Sequence, residues 1–147
     1  KEVNWDGRGG TNAQDEWIEL YNPTRRAVEL SGWSVAVQIP GKPVAQKYRF
    51  TRRTIIPAGG YLVLYQRDTR LLLDDLTATV RLLDADGEVV DWVVYGDLRP
   101  DESISRGEDG NWYAGWTPTP GKDNTAPLPA LKRGIRVSPT PRVRTRP

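Results

Sequence analysis

The stretch "VRLLDADGEVVDWVVYG", residues 80–96, carries the strongest fold signal in the sequence. Two runs rich in Val and Leu flank Asp86-Gly87, a pair favoured in tight hairpin turns because both central positions adopt positive φ. The pattern therefore predicts two neighbouring antiparallel strands with Asp86 and Gly87 as structural turn residues.

Short runs of this kind recur along the chain, separated by Gly, Pro, Asn and Asp, and their close spacing is typical of an all-β sandwich or barrel. The run at 61–65 follows the turn "IPAGG" and is apolar on both faces, which predicts a central strand. Residues 67–76 are the best helical candidate, as one helical turn or as a loop packing on the core. The predicted strands are 3–5, 16–22, 27–30, 33–39, 47–51, 61–66, 77–83, 89–95 and 112–114.

Composition limits the possible chemistry. The 147 residues suit one domain with a real core. The absence of Cys and His excludes a thiol nucleophile, an imidazole base and a Cys/His zinc site. No apolar run is long enough to span a bilayer, and the N-terminal sequence has no signal-peptide core. We predict a non-catalytic chain without a cofactor, and its start without Met suggests a piece excised from a longer protein.

The sequence changes character after Gly121. Residues 125–147 contain five Pro and no acid, and are predicted to form an extended linker or a strap along a domain at 1–124. The rest of the chain before Lys132 carries 15 basic and 19 acidic residues, a net charge of −4, so the basic pI comes from the tail alone. The basic residues of this tail are Lys132, Arg133, Arg136, Arg142, Arg144 and Arg146.

Several ordered motifs resemble the bacterial branch of the lamin tail domain: "DEWIELYNPTRRAVELSGWSV", "IPAGGYLVL", "LLDADGEVVDWVVYG", "SISRGEDGNW" and "TPTPGKDN". The resemblance spans residues 2–124. It implies an all-β, immunoglobulin-like β-sandwich without a catalytic motif, used for protein and nucleic-acid contacts. It also implies an accessory module of an exported or cell-surface bacterial protein. The basic, proline-rich C-terminal segment departs from that pattern.

Glu16 and Glu19 are the first candidates for chemistry. Residues three apart in a regular strand point to opposite faces, so these two carboxylates cannot converge on one substrate. Glu19 is therefore predicted to be structural, accepting backbone N–H bonds or pairing with an Arg such as Arg106.

Two acidic groups resemble calcium loops only weakly. Asp84, Asp86 and Glu88 alternate, but strands on both sides favour a hairpin turn over a longer calcium loop. Asp6 and Asp15 lie with Glu16 around the glycine loop at 6–16, which favours a loop without a metal. No metal site is predicted, although the sequence leaves calcium binding by a loop open.

Three binding hypotheses remain. The leading one is a protein partner held through strand edges, loops or the tail. The second is DNA or another polyanion bound by the basic tail, as clusters of Arg bind phosphates. The third is carbohydrate bound by Trp92 or Trp116, the better surface candidates among the six Trp, because Trp17 and Trp33 are expected to pack inside. The sequence identifies neither the specific partner nor the oligomeric state.

Overall fold

The structure of the protein, a computed structural model, describes residues 2–5, 16–74, 76–96, 102–116 and 118–123. No helix among these residues is long and apolar enough to cross a membrane. The elements in chain order are β1 (Glu2–Trp5), β2 (Trp17–Tyr21), β3 (Val28–Glu29), β4 (Ser34–Gln38), β5 (Gln46–Arg49), β6 (Ile55–Ile56), β7 (Tyr61–Tyr65), α1 (Gln66–Thr69), β8 (Thr77–Leu83), β9 (Val89–Gly96), β10 (Glu102–Arg106) and β11 (Trp112–Trp116).

These strands form two main antiparallel sheets and one short pair. The five-stranded sheet has the order β11-β10-β1-β2-β7, and the four-stranded sheet has the order β5-β4-β8-β9. Strands β3 and β6 form the short pair. Strand β1 pairs with β10 on one side and with β2 on the other, so sequence-distant parts of the chain complete one sheet.

The core lies between the two main sheets. Strand alternation places Ile18 and Leu20 of β2 and Val35 and Val37 of β4 in one buried cluster. Residues from β7, β8, β9 and β10 also belong to this cluster, among them Leu64, Val80, Val93 and Ile104. The predicted all-β sandwich is confirmed.

The β8–β9 hairpin is confirmed, but its turn differs from the expected one. Only Gly87 has positive φ, at 88°, whereas Asp86 does not. The Asp84 carboxylate accepts bonds from the backbone N–H groups of Asp86 and Glu88, both at 2.9 Å. This Asx-type bonding holds the residues before Gly87 in a right-handed turn. Gly87 alone then adopts the left-handed conformation, and the loop is longer than the expected two-residue turn.

The helical candidate contains one short helix and a buried loop. Helix α1 ends at Thr69, and Arg70, which follows it, has φ of 59°. Residues 71–74, which follow in the "LLLDDL" segment, are neither helix nor strand, and Leu71 and Leu73 belong to the core cluster. The loop interpretation of that segment is therefore the correct one.

Two short strands were not predicted, β6 and β10. Strand β10 has the sequence ESISR and lacks the Val-rich or aromatic alternation of the others. It forms nonetheless because β1 and β11 flank it on both sides. Its outer-face hydroxyls share a hydrogen bond, with Ser103 Oγ 3.2 Å from Ser105 Oγ, and Ser103 Oγ also donates to Trp116 O at 3.2 Å.

The prediction that β7 is central was wrong, because β7 is an outer strand of the described sheet. Its outward-facing aromatic rings pack against other side chains, and β2 is its one neighbouring strand in the described sheet. The Tyr61 ring stacks on Tyr21 at 4.8 Å, and the Arg67 guanidinium lies 4.0 Å above the Tyr65 ring.

Candidate binding surfaces

Strand β9 forms one edge of the four-stranded sheet as described, with β8 as its neighbour. Val93 and Tyr95 are buried, whereas Val89, Val90 and Val94 are each at least 40% exposed. An edge strand presents backbone donors and acceptors to any strand that approaches. Here those groups run beside exposed apolar side chains over an eight-residue strand.

The outer face of the four-stranded sheet, which we call the Trp92 face, is partly basic. Trp92 is half-buried and lies opposite Arg81, while Val94 lies opposite Thr79. Ala36, between β8 and β5, is buried although it points outward, because long side chains on both sides cover it. The basic residues of this face are Lys47, Arg49 and Arg81.

The outer face of the five-stranded sheet is closed instead. Glu19, Ser103 and Ser105 are fully buried although they lie on the face opposite the core. Residues 118–123, which we call the closing segment, return over this face, and Gly121 N donates to Glu19 Oε2 at 2.5 Å. The structure thus gives Glu19 a backbone N–H donor, one of the two kinds of partner predicted from the sequence.

Arg106, the suggested partner of Glu19, lies on the core side of its sheet. Its Nη2 donates to Asp91 Oδ1 of the opposite sheet at 2.9 Å. The guanidinium also lies 4.8 Å from the centre of the Trp112 ring. Burial lowers the pKa of Arg106, so this ion pair joins the two sheets at the cost of desolvating the cation.

A bulge in β11 sets the position of Trp116. Gly115 has φ of 81°, and the register of β10 and β11 shifts at this point. The extra residue brings Trp116 to the face of Tyr113, and the two rings stack at 5.6 Å. Trp116 and Trp92 therefore lie on the outer faces of different sheets, and Trp92 does not extend the Tyr113–Trp116 platform.

A cleft of about 700 Å³ opens at the end of the sandwich where β2 leaves its sheet and the β10–β11 turn begins. Its apolar wall includes Leu30, Trp33 and Ile56, and the stacked pair of Tyr21 and Tyr61 lies at its mouth. Such a volume falls within the range of ligand sites in proteins. The sequence did not reveal this cleft because its walls come from distant segments.

The Tyr61 hydroxyl ties the closing segment to this mouth by donating to the carboxylate of Asp123. Burial raises the pKa of Tyr61 well above its usual value, and the bond to Asp123 raises it further. The phenol therefore remains a hydrogen-bond donor throughout the physiological pH range.

The carboxylates singled out from the sequence have structural partners. Glu16 Oε2 accepts from Leu73 N at 3.0 Å, Glu19 binds Gly121, and Asp84 caps its own turn. Within the described ranges, no three acidic side chains come close enough together to hold a metal ion. Asp6, Asp15, the tail at 125–147 and its six basic residues lie outside those ranges.

The Lamin Tail Domain family model matches residues 1–97. The chain belongs to the lamin tail domain family. No curated protein matches the chain.

Membership confirms the immunoglobulin-like fold, and this lamin tail domain belongs to a non-catalytic family. The matched region ends directly after β9. Strands β10 and β11 follow it, yet they complete the five-stranded sheet through β1. The domain therefore continues structurally beyond the matched region, up to the closing segment.

Proposed function

We propose that this lamin tail domain is a non-catalytic interaction module of a larger exported bacterial protein, and that β9 receives an extended segment of a partner protein. The proposal rests on the exposure of Val89, Val90 and Val94 along β9, an eight-residue edge strand. Family membership supports the non-catalytic role, and the resemblance to bacterial accessory modules supports the exported context.

Strand addition suits this edge physically. A partner strand would form main-chain hydrogen bonds with β9, and alternate side chains would point to opposite faces. On the outer face of the sheet, the partner's side chains would lie beside Val94 and Trp92 of β9. Arg81 lies on β8, one strand further from the edge. A partner segment with alternating β-branched residues and an acidic residue facing Arg81 fits best.

Peptides selected from a random library against the full chain test this proposal. We expect Val94→Lys to weaken their binding about tenfold or more, because a charge replaces an apolar contact and must be desolvated. Val44→Lys is the matched control, since Val44 is 76% exposed in the β4–β5 connection. Amide shifts on binding should concentrate in β9. Equal affinity of the two variants, or shifts confined elsewhere, would refute the proposal.

Polyanion binding is the second candidate function, favoured by Lys47 and Arg49 beside Arg81 on the Trp92 face and by the basic tail. We expect the affinity of the full chain for single-stranded DNA to fall steeply with salt. Neutralising the six tail residues to Gln should flatten that dependence, whereas Arg25→Gln with Arg52→Gln should change it little. No binding at low salt would exclude this function.

A further inference from the structure

The cleft combines an apolar wall with aromatic rings at its mouth. Leu30 and Ile56 are buried core residues that form its wall, and Trp33 packs against the same core. The stacked Tyr21 and Tyr61 rings add a flat aromatic surface at the entrance. Grooves lined by aromatic rings are suited to proline-rich segments, whose preformed extended helix loses little entropy on binding.

The rim of the cleft is acidic. Asp91 and Arg106 pair with each other across the sandwich. Glu108 on the β10–β11 turn and Asp123 in the closing segment add two exposed carboxylates. The cleft therefore favours a cationic occupant, and Arg side chains can both pair with carboxylates and stack on aromatic rings.

One segment of this chain has the required chemistry and starts at the cleft. Asp123 lines the cleft, and the chain continues from it into residues 124–147. That stretch carries five Pro, six basic residues and no acidic residue. At about 3 Å per residue, its full reach is about 70 Å, far more than a return into the cleft requires.

We propose that the cleft binds residues 125–147 of the same chain. The prolines and short apolar residues lie against the aromatic mouth and the apolar wall, and the arginines pair with Glu108 and the acidic rim. The cleft includes Val90 and Asp91 at the start of β9, but it does not include Val94, where strand addition is tested. It withdraws the basic tail from external polyanions until salt or a stronger polyanion displaces it.

The test compares the full chain with a full-length variant in which all six basic tail residues are Gln. We expect the indole N–H signals of Trp33 and Trp116, which both line the cleft, to differ between the two chains, while the amides of β5 stay unchanged. High salt should shift the native chain toward the variant. Identical cleft signals in both chains would overturn the proposal.

A synthetic peptide of residues 125–147, added to the neutralised chain, supplies the second measurement. It should restore the native cleft signals, and Glu108→Lys should weaken its binding about tenfold. Glu88→Lys, which inverts an exposed charge in the β8–β9 turn, is the matched control and should have little effect.

Equal weakening by both variants, or none by Glu108→Lys, would overturn the role of the acidic rim and the proposal with it. Native cleft signals that depend on protein concentration would assign the tail to a second copy of the chain, which also contradicts binding within one chain. Failure of these tests leaves the β9 experiment unaffected, because that experiment depends on Val94, which does not line the cleft.

Discussion

Replacing Asn22 with alanine is expected to lower the free energy of unfolding by about 2–4 kcal/mol. The Asn22 side chain is buried, and its Nδ2 donates to Arg26 O at 2.7 Å and to both Ile56 O and Pro57 O at 3.0 Å. Its Oδ1 accepts from the backbone N and the hydroxyl of Thr24. Alanine would remove the Asn22 bonds to these three carbonyl groups, although Pro57 O keeps Gly60 N and Arg26 O keeps the Thr24 hydroxyl, and it would leave a void at a buried position.

Denaturant unfolding of the full chain measures this effect, with the slope checked for two-state behaviour. Thr24→Val is a graded control, because it removes one bonded hydroxyl at the exposed side of the same turn. It should lower stability by about 1 kcal/mol. A loss below that of Thr24→Val in the Asn22 variant would show that the turn holds without this side chain.

Replacing Glu19 with alanine is expected to lower the free energy of unfolding by about 1–3 kcal/mol. Glu19 is fully buried under the closing segment and accepts the Gly121 N–H. Removal of the carboxylate leaves that donor without its partner and opens a void beneath the segment. Hydrogen exchange at Gly121 should therefore accelerate more than exchange in β8.

Glu19→Gln separates the charge from the shape, because glutamine keeps an acceptor oxygen at nearly the same position. It should retain more of the stability than Glu19→Ala does. Peptide binding at β9 should be unchanged in the folded fraction of both variants. Unchanged unfolding and unchanged exchange in the alanine variant would contradict the assigned role of Glu19.

The sequence predicted the parts of the fold that depend on local signals. The hairpin at 80–96 was found because Gly87 interrupts two apolar runs at hairpin spacing. Its turn type was not predicted, because the Asp84 carboxylate selects the turn through hydrogen bonds that the Asp86-Gly87 pair alone does not indicate. The run of β7 is apolar on both faces, which predicted a central strand. In the structure other side chains cover Tyr61 and Tyr65, and no sequence periodicity indicates such contacts.

The candidate surfaces were less predictable than the fold. Trp92 and Trp116 were both predicted as surface candidates. In the structure the bulge at Gly115 places the ring of Trp116 against Tyr113, and no sequence pattern indicates this contact. Strand β10 was not predicted because its serines resemble loop residues, and their burial is evident only in the assembled sheet. A cleft formed by distant segments leaves no local pattern, so only the assembled sandwich shows it.

The position of β1 also has a consequence for synthesis of the protein. Its partner β10 lies about one hundred residues later in the chain, and the two strands are neighbours within one sheet. On a ribosome, β1 can pair with β2 early, but its second edge stays unpaired until β10 has emerged. During that interval the nascent sheet exposes an unprotected edge, and a chain cut after the matched region would expose it permanently.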